Sequence, residues 1–171
     1  MALCRPLKGP YLGIVTTETS ISESPSPESV PGRPKVVAGI DGSPASRAAL
    51  ERAAQEAALR RADLEVVMAW DWPMAYARTP MLHESDPVGE ERKEFEATVA
   101  SIVKDHPDVA VTSVYTHGHP AQRLVEASKG ADLLVVGSRG HGAFVGMVLG
   151  SVSQHCAAHA HCPVLIHRSP D

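Results

Sequence analysis

The sequence predicts an α/β fold, a doubly wound three-layer sandwich built around a parallel sheet. From Lys35 onward, apolar segments of strand length alternate with segments of helix length. Several of the strand-length segments are nearly continuous apolar runs, as parallel strands buried on both faces require. Hydrophobic residues make up 43% and charged residues 21% of the 171 residues, which suits one globular domain with a buried core.

The chain in front of this pattern has a composition that cannot form a core. Residues 20–34 contain five serines and four prolines, so they offer too little apolar surface to offset the loss of chain entropy on ordering. We predict that residues 1–34 form a disordered tail, that residues 35–168 form the domain, and that residues 169–171 form a short second tail.

The first strand and the first helix have clear boundaries. Residues 36–40 form an apolar strand that ends at Asp41. Ser43 can then cap a helix, and Pro44 suits its first turn. The apolar residues that follow recur at helical spacing and are mostly alanines, which predicts a helix lying close to the sheet.

The middle of the chain contains a second strand at residues 64–70 and a long loop at residues 71–86. A helix over residues 88–104 follows, and its apolar stripe comprises Val88, Phe95, Val99, Ile102 and Val103. The third strand, residues 109–115, places polar residues on both faces. We therefore predict that it lies at an edge of the sheet.

The last part of the chain completes five strands and four helices. It contains a helix from Pro120 to Gly130, a buried strand at residues 132–137, a helix from Ser151 to about residue 160 and a strand at residues 163–168. Ligands of such folds bind beyond the carboxyl ends of the strands. The residues at those ends, Asp41, Trp70, His117 and the segment from Gly137, are therefore the candidates for a site.

Charge and composition exclude several classes of protein. A net charge of -4 and 4% aromatic residues argue against nucleic-acid binding. No uncharged apolar run reaches the length of about 18 residues that a membrane span needs. Cys4, Cys156 and Cys162 form no C-x-x-C pair, which favours reduced thiols, and we expect a cytoplasmic protein.

A glycine-rich segment, GSRGHGAFVGMVLGSVS, follows the fourth strand and leads into the helix at Ser151. Glycines allow main-chain N–H groups to approach an anion, and a helix start adds further amides. The alternative is an irregular turn in which Ser151 and Gln154 form a capping box. Position favours the anion site, because the turn Asp41-Gly42-Ser43 ends another central strand and should face the same crevice. Neither a Walker motif nor a G-x-G-x-x-G fingerprint is present.

The spacing Gly137-x2-Gly140-x9-Gly150-Ser151 resembles the nucleotide motif of the ATP-binding branch of the universal stress protein family. The segments VVAGIDGSPASRAAL, DLLVVGSRGHG and CPVLIHR resemble the flanking family segments, and the resemblance spans residues 35–168. It implies the strand order 3-2-1-4-5. It also implies ATP with Mg²⁺ as the ligand and a homodimer formed through the C-terminal strand.

The resemblance also implies roles for individual residues. Asp41 would lie near the ribose or the metal-bound phosphates and hold Mg²⁺ through water, and Trp70 would lie beside the adenine. The remaining positions would meet the ribose and the phosphates: Gly137, Gly140, Gly150, Ser151, Val152 and Ser153. Apart from the resemblance, Arg139 and His141 lie inside the glycine segment, where they could add positive charge near a triphosphate; the alternative for Arg139 is a solvated side chain. The alternative for Asp41 is a cap at the start of the helix, and for Trp70 a core aromatic residue.

Histidines and cysteines are concentrated near the C-terminus, at His155, Cys156, His159, His161 and Cys162. His155 and His159 are four residues apart on the predicted helix and could share one metal ion. The sequence shows no matching third ligand at a fixed spacing. The favoured interpretation is therefore that this cluster holds no metal ion and that its cysteines are buried and inert.

Three functions fit these observations. The first is an ATP-binding stress protein that acts as a regulatory module with at most slow hydrolysis, since the glycine segment contains no nucleophile–base pair and no catalytic lysine. The second is an ATP-hydrolysing or adenylyl-transferring enzyme on the same scaffold. The third is a member of the family that binds no nucleotide and works through protein contacts, which the intact glycine spacing disfavours.

Overall fold

The computed structural model describes residues 32–71, 87–140 and 149–168. Five parallel strands form one sheet in the order β3-β2-β1-β4-β5, which confirms the predicted order and leaves β3 and β5 at the edges. The strands are β1 (Lys35–Ile40), β2 (Asp63–Trp70), β3 (Val111–His117), β4 (Leu133–Gly137) and β5 (Val164–His167).

Four helices cover the two faces of the sheet and complete the three layers. They are α1 (Pro44–Arg60), α2 (Pro87–Asp105), α3 (Pro120–Ala127) and α4 (Ser151–His159). Side chains of α1 and α2 belong to one buried cluster, and side chains of α3 and α4 belong to the cluster on the opposite face. The central strand β1 contributes to both clusters, because its alternate residues point to opposite faces.

Helix α1 starts and packs as the sequence predicts. The Ser43 hydroxyl accepts a hydrogen bond from the Ser46 N–H at 3.2 Å, which satisfies one of the unpaired donors at the helix start. Four alanines face the sheet with at most 1% exposure, namely Ala49, Ala53, Ala54 and Ala57. Their small side chains allow the close approach of helix and sheet.

The main differences from the sequence prediction concern β3, α3 and α2. Strand β3 runs from Val111 to His117 instead of from residue 109 to residue 115, and α3 ends at Ala127 while Gly130 follows in a turn with a φ of 70°. In α2, Phe95, Val99 and Ile102 are buried but Val103 is 44% exposed, because one residue further along a helix turns by about 100° away from the buried stripe.

Parts of some predictions lie outside the described residues. These are the tail at residues 1–31, the long loop at residues 72–86, the glycine segment at residues 141–148 with His141, and residues 169–171. Within the described ranges, no helix has both the length and the apolar character needed to span a membrane.

Candidate functional site

The predicted site residues of two central strands meet at the carboxyl edge of the sheet. Asp41 follows β1 and Gly140 follows β4, and these two strands pair directly with each other. The contact is so close that a Cβ atom at position 140 would lie 2.1 Å from Oδ2 of Asp41. Only a glycine allows this approach without displacing the carboxylate.

Hydrogen bonds from the start of α1 hold the Asp41 side chain. Its Oδ1 accepts from the Ser43 N–H at 3.1 Å and from the Ser43 hydroxyl at 2.6 Å. The Asp41 N–H donates to the Ser46 hydroxyl at 3.3 Å. One carboxylate oxygen thus organises the start of the helix, as the alternative interpretation expected, while the other faces the glycine segment.

The start of α4 lies against the same segment. Gly150 is the N-cap, its N–H donates to the Ser138 carbonyl at 2.8 Å, and a Cβ on it would lie 3.6 Å from the Cα of Arg139. Ser151 is therefore the first helical residue, and the capping box of Ser151 and Gln154 is wrong, because Gln154 Nε2 donates to the Leu149 carbonyl at 3.1 Å. The first N–H groups of a helix have no partner within the helix, so they are available to an anion at this end.

The three helix residues predicted to meet phosphate differ in their side chains. Ser151 is exposed, and Val152 packs partly buried against the core on the α4 face of the sheet. The Ser153 side chain is buried and donates to the Gly137 carbonyl at 2.6 Å. Its hydroxyl thus ties α4 to the end of β4, which leaves the main-chain N–H as the group of Ser153 that an anion could meet.

A cleft of about 210 Å³ opens beside Asp41, between the ends of β1 and β2 and the first half of α2. Its apolar floor comes from the buried side chains of Ile40, Met68 and Phe95. Its polar wall carries three carboxylates, because Glu91 and Glu94 of α2 join Asp41. The lining residues are Ile40, Asp41, Gly42, Met68, Glu91, Glu94, Phe95 and Thr98.

Two polar contacts fix the acidic wall of the cleft. Glu94 pairs with Arg47 of α1, and Glu91 accepts a hydrogen bond from the Tyr115 hydroxyl at 2.9 Å. These contacts connect the first half of α2 to both α1 and β3. Sequence reasoning missed Arg47, Glu91, Glu94 and Tyr115, since carboxylates on a helix three residues apart look like any solvated face and no motif marks them.

Trp70 lies at the rim of this region and forms part of an aromatic group. It ends β2 on the same face as Met68, two residues earlier. Its ring stacks on Tyr115 with centroids 6.4 Å apart and meets His117 edge-on at 4.8 Å. The half-buried indole therefore packs against neighbouring rings at the strand ends, and its predicted place beside an adenine remains a prediction.

The arrangement is suited to binding. It combines an apolar floor, a hydrogen-bonded carboxylate, a glycine segment and a helix start, while Arg139 lies half-buried in the segment. Among the described residues, no group of three or more histidine, cysteine, aspartate or glutamate side chains could hold a metal ion. A cation at this edge would therefore need oxygens from the bound ligand in addition to those of the protein.

Comparison with known proteins identifies relatives over nearly the whole described chain. The model of the "Universal stress protein family" matches residues 32–168. The universal stress protein Rv2623 of Mycobacterium tuberculosis is 35% identical over 169 residues, which is 95% of this chain and 53% of the relative. Rv1996 of the same organism is 39% identical over 157 residues, covering 88% of this chain and 48% of the relative. The chain thus spans about half the length of these curated relatives.

Solved structures show the same fold. A universal stress protein crystallised in complex with cAMP has a TM-score of 0.60 and 28% identity, and the match covers 81% of this chain and 99% of the other. The family match, the relatives and the strand order agree with one another. The chain belongs to the universal stress protein family.

Proposed function

We propose that this protein binds an adenine nucleotide, ATP with Mg²⁺, at the carboxyl edge of its sheet and acts as a nucleotide-dependent regulatory module in the stress response. The contact between the Asp41 carboxylate and Gly140 carries the proposal. The Asp41 carboxylate can accept hydrogen bonds from ribose hydroxyls or from the water of a hydrated Mg²⁺. It lies next to the main chain of Gly140, where no side chain blocks a ligand.

The phosphates would occupy the space between Gly140 and the start of α4. The main-chain N–H groups of Ser151, Val152 and Ser153 would donate to them, and the positive end of the helix dipole favours negative charge there. A Cβ at position 137 would lie 3.2 Å from the Arg139 carbonyl oxygen and 3.3 Å from that of Ala45, so the turn after β4 packs tightly against the start of α1. Ser138 in this turn is buried, and its carbonyl accepts a hydrogen bond from the Gly150 N–H at 2.8 Å.

The acidic wall of the cleft fits a nucleotide bound with its metal. The carboxylates of Asp41, Glu91 and Glu94 would repel a bare triphosphate bound beside the cleft. Mg²⁺ reduces that repulsion and prefers oxygen ligands, commonly one or two carboxylates together with phosphate oxygens. The donors present at this edge therefore fit Mg²⁺, and Asp41 is the residue that would hold it through water.

The relatives support a nucleotide as the ligand, and the site favours binding over turnover. The solved relative at 28% identity was crystallised with cAMP, an adenine nucleotide. Fast phosphoryl transfer needs a group that orients the attacking water and cations that stabilise the transition state. Around the described cleft the titratable side chains are carboxylates engaged by Ser43, Tyr115 and Arg47. We therefore propose at most slow hydrolysis.

The test is native mass spectrometry of the freshly purified protein, followed by titration with ATP in the presence and absence of Mg²⁺. We expect an adenine nucleotide on the wild type. Asp41→Ala should bind ATP at least about tenfold more weakly, because a charge-assisted contact contributes more than about 1.4 kcal/mol. Asp108→Ala is the matched control. Asp108 is exposed and precedes β3, so it lies at the amino ends of the strands, away from the proposed site at their carboxyl ends.

Two results would change the conclusion. A protein that carries no nucleotide and binds no added ATP would instead be a family member that works through protein contacts. Steady release of phosphate or pyrophosphate that is abolished in Asp41→Ala would instead favour an ATP-hydrolysing or adenylyl-transferring enzyme.

We further propose that the protein forms a homodimer through β5. This strand lies at an edge of the sheet, and its apolar residues Val164, Leu165 and Ile166 are only partly buried within one chain. A second copy that pairs along that edge would cover these side chains and form hydrogen bonds with the unpaired main-chain N–H and C=O groups of β5. Light scattering at micromolar concentration should give the mass of two chains, and Leu165→Lys should lower it towards one. A monomeric mass for the wild type would refute the dimer.

A further inference from the structure

We propose that helix α4 carries a second binding site, for a divalent transition metal ion such as Zn²⁺, Ni²⁺ or Cu²⁺, formed by the imidazoles of His155 and His159. The site lies on the solvent side of the helix, and the proposed nucleotide site does not use it. The proposal stands whether or not the protein binds a nucleotide.

The geometry of the two rings suits one metal ion. Both residues lie within α4, on consecutive turns of one face. Their ring centroids are 4.5 Å apart, with the planes inclined at 47°. Two nitrogens that each lie about 2.0 Å from a tetrahedral metal are about 3 Å from each other. Side-chain rotation alone can bring the ring nitrogens to that separation, because the helix already holds the two backbones in place.

Both rings are available for a ligand. His155 and His159 are exposed, and within the described ranges neither side chain has a hydrogen bond or an ion pair. Two other histidines differ in having acidic neighbours, since His106 Nε2 lies 3.0 Å from Glu51 and His117 Nε2 lies 3.9 Å from Asp71. The pair on α4 is thus bound to nothing else while its rings already touch.

The position on the helix favours a cation. His159 is the last residue of α4, where the unpaired carbonyls give the helix end a partial negative charge. The chain as a whole also carries a net charge of -4. A cation held between these two turns would therefore meet a favourable field on top of the two metal–nitrogen bonds.

The donor set decides which metal would bind. Imidazole nitrogens select Zn²⁺, Ni²⁺ and Cu²⁺, whereas Mg²⁺ and Ca²⁺ prefer oxygen. Cys156 is no third ligand, because its side chain is fully buried on the sheet side of α4 and burial raises the pKa of its thiol to about 11. The described residues hold no larger cluster of ligands, so water would fill the remaining positions and the ion would exchange readily.

Isothermal titration of the full chain with NiCl₂ tests the site. We expect one readily reversible site per chain and a loss of affinity of about tenfold or more for His155→Ala and for His159→Ala, since each removes one of two ligands. His161→Ala is the matched control and should bind like the wild type, because His161 is exposed just beyond the helix and its structural contact is a main-chain N–H to Ser128 Oγ at 2.9 Å. MgCl₂ should give no heat at this site.

A second measurement locates the ion without any variant. Substoichiometric Cu²⁺ should broaden the amide resonances of the last turns of α4 first in a ¹⁵N spectrum of the wild type. Broadening centred on another part of the chain would overturn the proposal, as would a double variant, folded by circular dichroism, that binds Ni²⁺ as tightly as the wild type.

Discussion

Replacing Gly140 by valine is expected to abolish nucleotide retention, with binding about a hundredfold weaker or worse. A Cβ at this position would lie 2.1 Å from Asp41 Oδ2 and 3.2 Å from its Cγ. The carboxylate cannot move away cheaply, because Oδ1 accepts two hydrogen bonds from Ser43. Valine would therefore displace the proposed ribose and metal ligand and fill the space reserved for phosphate. Native mass spectrometry and ATP titration measure the loss.

Gly150→Ala tests the last glycine of the same motif. A Cβ at position 150 would lie 3.6 Å from its nearest neighbour, which is an ordinary contact, and the φ of -73° suits any residue. The main-chain N–H that donates to the Ser138 carbonyl is retained. Because Gly150 borders the proposed phosphate site, we expect this variant to weaken nucleotide binding much less than Gly140→Val does. Retention by Gly140→Val at the wild-type level would mean that the contact with Asp41 does not form part of the binding site.

Folding and binding can be separated with a double-mutant cycle. Gly140→Ala should lower the free energy of unfolding by about 1–3 kcal/mol, as overpacked substitutions do. The cost should largely vanish in an Asp41→Ala background, where the clashing carboxylate is gone. If Gly140→Ala lowered the free energy of unfolding equally in the Asp41→Ala background, the steric clash would be with a residue other than Asp41.

The architecture of this protein is well predicted from its sequence, because buried parallel strands leave a strong signal. Val36 to Ile40 and Leu133 to Val136 are apolar on both faces, and both strands lie inside the sheet. The polar residues of β3 correctly predicted an edge. The exact start of that strand was missed, because Val109 and Ala110 are as buried as strand residues although they belong to the preceding turn.

The two halves of the candidate site differ in how far the sequence predicts them. The turns that contain Asp41 and Gly140 are expected to face one crevice because topology places the ends of neighbouring strands together, and the structure brings the two residues into direct contact. The acidic wall was not predictable in the same way. The buried stripe from Phe95 to Ile102 sets the rotation of α2 about its axis. Whether Glu91 and Glu94 then border a cleft depends on the distance between α2 and the ends of β1 and β2, which the helical pattern does not give.

Leu134→Ala is expected to cause the largest loss of stability, about 2–5 kcal/mol in the free energy of unfolding. Leu134 is 0% exposed on β4, the strand that carries Gly137 and leads into Gly140. It packs in the cluster between the sheet and helices α3 and α4, together with Val37, Leu124 and Cys156. Truncation would leave a cavity at the centre of that cluster, because strands on both sides prevent β4 from collapsing into it. Urea unfolding followed by circular dichroism gives the value.

The control for this variant removes the same atoms from the surface. Leu59 on α1 is 76% exposed, so Leu59→Ala should change the free energy of unfolding by no more than about 0.5 kcal/mol. Because both variants replace leucine by alanine, the difference between their free energies of unfolding reports the effect of burial alone. If Leu134→Ala lost less than about 1 kcal/mol, the packing of α3 and α4 on β4 would have to be looser than the structure shows. The position of Gly137 and of the proposed phosphate site at the end of that strand would then be in doubt as well.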